Sequence, residues 1–219
     1  MKTAIYAEAS DVESRLGELG LTMLPLTDAL KYGHVHRSAC TPNDPPMMRG
    51  IVGWGKSTRA LREMLAPYGW VRSDEGNFSI TLNPERTIAI SIQTGDDGTG
   101  FADRNPSTKH PKGPATADAV GQNAAQLSFD FPELPRRIQP PQKTASNCMT
   151  WLFLSSPGLN EIRCELSLPK YINDDGHVEE WAERIILDPI PLNHEPIVKG
   201  HTEDYAEDIV VPISRRKIS

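Results

Sequence analysis

The chain predicts an α+β fold: an N-terminal helix-plus-antiparallel-strands part over residues 1–98 and a small C-terminal antiparallel sheet within 147–219. A proline-rich linker over 99–146 joins them. Three observations predict this. Within 54–95, apolar residues recur first at helical spacing and then at alternate positions. Alternation returns after Met149, punctuated by turn residues. Between these blocks, seven prolines fall from Pro106 to Pro141.

The elements follow in order. Residues 2–7 alternate weakly, as a short strand does. Ser10 and Glu13 fit a capping box, in which each side chain satisfies an orphan amide of the other's turn. Val12, Leu16 and Leu19 then share a helical face, and Gly20 closes the helix. Residues 21–49 carry little periodicity; Thr27 fits the cap of a short turn through Leu30, and 41–46 reads as a loop. Ala60, Leu61, Met64 and Leu65 form one face of a helix that Pro67 and Gly69 end. Val71, Phe78, Ile80 and Leu82 mark a hairpin with Glu75-Gly76-Asn77 at its turn. After a second turn at 83–86, Ile88, Ile90 and Ile92 line one face of a strand. The linker carries one helix-prone stretch, Thr116 to Ala125. Beyond it, Trp151–Leu154, Ile162–Leu168 and Arg184–Leu187 read as three strands.

Composition narrows the function classes. With 219 residues and 38% hydrophobic content the chain can bury a core. The net charge of −6 argues against broad non-specific nucleic-acid binding, which needs clustered Lys and Arg. No run approaches the ~18 apolar residues of a membrane span. The N-terminal residues turn acidic before a secretory core develops. Three widely spaced cysteines, Cys40, Cys148 and Cys164, suit a reducing cytosol better than a disulfide framework. A cytoplasmic protein is expected.

Several constellations carry possible chemistry. Gly50-Ile51-Val52-Gly53-Trp54-Gly55-Lys56-Ser57 resembles the Walker A phosphate loop. The resemblance implies backbone amides cradling phosphate, with Lys56 on the outer phosphates and Ser57 on magnesium. A helix follows, as the motif requires. The strand that should run into Gly50 does not, because Pro45, Pro46 and two methionines stand there. A helix start is the competing reading.

Gln126-Leu127-Ser128-Phe129-Asp130-Phe131 resembles the hexapeptide with which many bacterial proteins dock onto the DNA sliding clamp. The resemblance covers six residues and implies Gln126, Leu127, Phe129 and Phe131 as partner contacts. Phe129 stands where an aliphatic residue is commoner. An extended peptide with two aromatic anchors can offset its own ordering cost on binding. Packing of the same residues on a folded part is the alternative.

Arg59, Arg62 and Arg72, near a helix and hairpin, are candidate phosphate contacts, with Trp54, Tyr68 and Trp70 as stacking groups. Solvated arginines are the plainer account. His34 and His36 would share a strand face and, with Cys40 nearby, offer zinc ligands, but no fourth ligand stands out. Asp96 and Asp97 end the strongest strand and read as a turn. Glu179, Glu180 and Glu183 read as a charged face beside a buried Trp181. No cofactor or metal is expected. The leading expectation is a non-enzymatic interaction protein acting on DNA-replication or DNA-processing machinery through 126–131. The alternatives are a mobile-element inhibitor or accessory protein that blocks a nucleic-acid-binding partner, and a nucleotide-binding protein resting on 50–57.

Overall fold

A computed structural model describes residues 2–130 and 148–192, with side chains left out at 129 and 130. Its centre is one seven-stranded mixed sheet in the order β1-β7-β6-β5-β4-β3-β2. The strands are β1 (Ala4–Tyr6), β2 (Val71–Ser73), β3 (Ile80–Leu82), β4 (Ile88–Thr94), β5 (Met149–Pro157), β6 (Glu161–Ile172) and β7 (Val178–Pro191). The α+β class holds. The expected hairpin is β2 with β3, and the C-terminal strands β5, β6 and β7 pair antiparallel in chain order.

The two expected parts share this sheet. β4 runs parallel to β5 through seven residue pairs, from Ile88 beside Met149 to Thr94 beside Ser155. β1 lies parallel on β7, so a strand from the start of the chain forms the edge beyond the C-terminal strands.

Three helices cover one face: α1 (Ala9–Glu18), α2 (Met23–Ser38) and α3 (Met48–Leu65). Val12 and Leu16 of α1, Leu26 and Leu30 of α2, and Leu61 and Leu65 of α3 pack on Ile90, Trp151, Phe153, Leu166 and Ile185. Strand alternation sends these side chains to one face and Leu152, Leu154, Val178 and Trp181 to the other. There α4 (Pro114–Asp130) covers them with Val120.

Helix α1 starts earlier than the capping box implied. Glu8 occupies the N-cap position and no side chain caps it. Its end is as read: Gly20 has φ +69° and the Leu21 amide donates back to Leu16 O at 2.9 Å. The larger difference is α2. Thr27 caps nothing; its hydroxyl bonds Met23 O and Leu24 O from within the helix. Pro25 is tolerated because it sits in the first turn. The buried stripe Leu26, Ala29, Leu30, Gly33 hides its period, since a glycine stands where an apolar side chain would mark the face.

Gly33 has a steric reason. A Cβ there would meet Ser57 Oγ at 1.9 Å and Gly53 O at 2.6 Å. The α2–α3 crossing is therefore set by backbone-to-backbone approach. Ser57 can rotate away, but the Gly53 carbonyl cannot. Gly33→Ala is expected to destabilise the protein by about 1–3 kcal/mol, the usual range for overpacking, measured by urea denaturation. Wild-type stability in that variant would show that the crossing is loose.

Candidate functional site

The second face of the sheet is polar at its centre. Glu165 on β6 and Arg184 on β7 project into it and are 0% and 2% exposed. Arg184 Nε donates to Glu165 Oε1 at 3.0 Å and Nη2 to Oε2 at 2.6 Å, a bidentate pair. The remaining guanidinium donors reach Arg104 O at 2.6 Å and Phe101 O at 3.0 Å. The carboxylate also accepts the Gly100 amide at 2.9 Å and the Ser167 hydroxyl at 2.8 Å. Apart from the Ser167 bond within β6, these contacts hold residues 100–104 on the sheet.

Further bonds fix the rest of this segment. Trp181 Nε1 donates to Pro106 O at 2.8 Å, and His177 Nδ1 lies 2.6 Å from Thr108 O. Asp96 Oδ1 accepts the Gly98 amide at 3.0 Å, so this carboxylate builds the turn, as read. Gly100 must be glycine twice over: φ is +78°, and a Cβ would stand 2.8 Å from Arg163 Cβ. Phe101 is stacked between two guanidinium groups, those of Arg104 and Arg163, at 4.1 and 4.4 Å. Asn123, fully buried on α4, donates to Thr150 O and Pro169 O and accepts the Thr150 amide. The described part of the expected linker is thus a packed layer.

Lys112 closes this layer. Its Nζ donates to Gln93 Oε1 at 2.9 Å, and its backbone amide to Gly176 O at 2.8 Å. Burial without a carboxylate partner pushes the ammonium down to about 8. On the opposite face, burial first and then the charges of Glu165 and Asp188 push the Cys164 thiol up to about 12. Cys164 is therefore a packing residue, not a nucleophile.

The sequence-predicted site residues are dispersed. Gly50, Gly55, Lys56 and Ser57 lie within α3, not in a loop. A helical backbone spends the amides from 52 onward on its own carbonyls, so they cannot form a phosphate cradle. Ser57 is buried under Gly33. His34 and His36 lie on helix α2, not on a strand, and point apart. No group of three metal-ligating side chains occurs among the described residues. Arg59 pairs with Glu63, and Arg62 forks onto Asp74 while also donating to Ser73 O and Ile80 O. Arg62 and then the Ser79 hydroxyl hold the Asp74 carboxyl below its usual range. Arg72 is exposed on β2. Gln126, Leu127 and Phe129 belong to the last turns of α4, with Leu127 packed on the core; Phe131 lies outside the described residues. Glu179, Glu180 and Glu183 flank a buried Trp181 as read, with Glu183 forking onto Arg15.

A cleft remains where the C-terminal ends of β4 and β5 meet α2 and α3. Gly33, Gly50 and Gly53 leave it open, and Arg37, Trp54 and Ile162 border it. Ends of parallel strands are a usual place for ligands in open α/β sheets. Comparison with family models, curated proteins and solved structures returns no match. No helix among the described residues is long and apolar enough to cross a membrane.

Two predictions follow from the polar layer. Glu165→Gln leaves Arg184 as an uncompensated buried charge, and unfolding should become easier by about 3–5 kcal/mol. The joint replacement Glu165→Met with Arg184→Met should cost less than either single change; a larger cost in urea denaturation would contradict this account. Lys112 gives a pH signature. The unfolded chain holds this proton up to about 10.5 and the folded chain only to about 8. Stability therefore rises between those values as pH increases. Lys112→Met should remove that rise, read by comparing the unfolding midpoints of both proteins at roughly pH 8 and roughly pH 10.

Proposed function

We propose that this chain is a non-enzymatic interaction protein acting on DNA-replication or DNA-processing machinery, with residues 126–131 as its docking peptide. Gln126 is the observation that supports the reading. Its side-chain oxygen is buried near the end of α4 with no hydrogen-bond partner among the described residues. An orphaned buried acceptor costs about 1–3 kcal/mol. A partner that donates to this oxygen recovers that cost. Docking as an extended peptide requires the last turns of α4 to unwind, and helix ends open more readily than helix centres.

The test is titration against a bacterial sliding clamp. Gln126→Ala and Phe129→Ala should each weaken binding roughly tenfold or more, the usual effect of removing an anchor. Melting curves of both variants check that the fold persists. Absence of binding, or binding indifferent to both changes, rejects the docking peptide.

Charge segregation favours a second reading, an inhibitor or accessory protein that blocks a nucleic-acid-binding partner. Residues 23–65 carry six Lys and Arg against three Asp and Glu; the rest of the chain carries 17 against 26, a balance of −9. Competition between this protein and DNA for one enzyme, relieved by salt, is the expected behaviour.

A further inference from the structure

Helix α3 has one long stripe, apolar apart from Thr58, that the sheet covers only in part. Met47, at its N-cap, begins a series that continues with Ile51, Trp54, Thr58, Leu61 and Leu65, at i, i+4, i+7, i+11, i+14 and i+18. The C-terminal half is core: Leu61 and Leu65 are 1% and 2% exposed. The N-terminal half is open: Met47, Ile51 and Trp54 are 69%, 51% and 44% exposed. The break falls where β4 ends. Trp54 Nε1 donates to Ile92 O at 3.2 Å, near the end of that strand. The first two turns of α3 therefore overhang the sheet, and the face that should be buried is in water.

The charge at the edge of this overhang is positive. Arg37 borders the same cleft as Trp54, and its stem runs along Gly53, within 3.4 Å of where a Cβ would stand. No carboxylate of the described residues pairs with Arg37, whereas Lys31, Arg59 and Arg62 have Asp28, Glu63 and Asp74. Residues 23–65, which hold α2 and α3, have charge +3 in a chain of −6.

We propose that the overhang of α3 is a docking surface for an acidic amphipathic segment of another protein. Its apolar side chains cover Met47, Ile51 and Trp54, and a carboxylate meets Arg37. This surface is separate from residues 126–131 and does not depend on them. Met47 and Ile51 offer no plane for a base to stack on, and the indole is held by its nitrogen to a strand carbonyl. An apolar peptide face fits this chemistry better than nucleic acid does. A second copy would have to bring its own acidic surface against α2 and α3.

The experiment uses the full chain and three probes. One is a fluorescent amphipathic peptide with leucines at i, i+4 and i+7 and glutamates between them. The second is the same peptide with glutamine for every glutamate. The third is a single-stranded oligonucleotide of matching charge. The acidic peptide should bind best. Met47→Ser with Ile51→Ser, and separately Arg37→Gln, should each weaken it roughly tenfold or more. All three positions lie outside the buried core, and Gln126→Ala should leave this binding unchanged. Equal affinity for the glutamine peptide overturns the charge assignment. Tighter binding of the oligonucleotide overturns the partner class. Self-association lost in Met47→Ser with Ile51→Ser, seen by sedimentation, assigns the surface to a second copy and overturns the proposal. Failure of the acidic peptide to bind rejects it outright.

Discussion

Glu165 and Arg184 form a buried ion pair, set between two neighbouring strands. Desolvating both charges is costly, and the pairing recovers that cost only when the remaining donors and acceptors are also satisfied. Here most of them are satisfied by backbone groups of residues 100–104 and by the Ser167 hydroxyl. The pair and the segment are mutually dependent. Without the segment, the guanidinium would keep unpaired donors in a dry site. Without the pair, residues 100–104 would lose their anchors, leaving the bonds at Pro106, Thr108 and Lys112 to hold the strip. The pair ties β6, β7 and residues 100–104 together at one buried point.

The opposite face is held differently. Three helices lie on it through aliphatic and aromatic contacts, and their closest approach is set by the absence of a side chain at Gly33. One face is thus specified by directional bonds, the other by shape. On the second face, Glu165, Arg184, Trp181 and Asn123 commit their polar atoms to other parts of the same chain. Surfaces with unused capacity lie elsewhere, at the overhanging start of α3 and at the end of α4.

Much of the architecture was legible where period and turn chemistry agreed. The strand at 88–92, the turn at 83–86 and the β5–β7 strands could be read from alternation and Asx or Gly punctuation. Asn83 shows why, since its Oδ1 accepts the amides of both Thr87 and Ile88. Helix α2 was not legible, because Gly33 and Pro25 are helix-unfavourable residues admitted for local reasons. The covering layer was missed because its anchors are backbone carbonyls, which leave no mark in a sequence. Glu165 and Ser167 alternate with apolar neighbours as a solvated strand face would, so their burial had no local signal. At the candidate sites, the phosphate-loop pattern matched residue types without the strand that gives it meaning. The stripe at 47–65 was half visible, as Leu61 and Leu65. Extending it back to Ile51 and Met47 needed the knowledge that glycines interrupt α3 without ending it.

The edge strand β1 has a consequence for the order of assembly. Its partners are Glu183, Arg184 and Ile185, nearly the whole described chain away. Strand β1 precedes β7 by far in the chain and must wait for it before it has a ladder to join. Contacts of such sequence separation make folding slow, because loop closure precedes any reward. Arg15 of α1 meets Glu183 at the same seam. The first helix and strand therefore act as a clasp that fastens only once the C-terminal strands exist, and a nascent chain stalled before β7 would carry them unfastened.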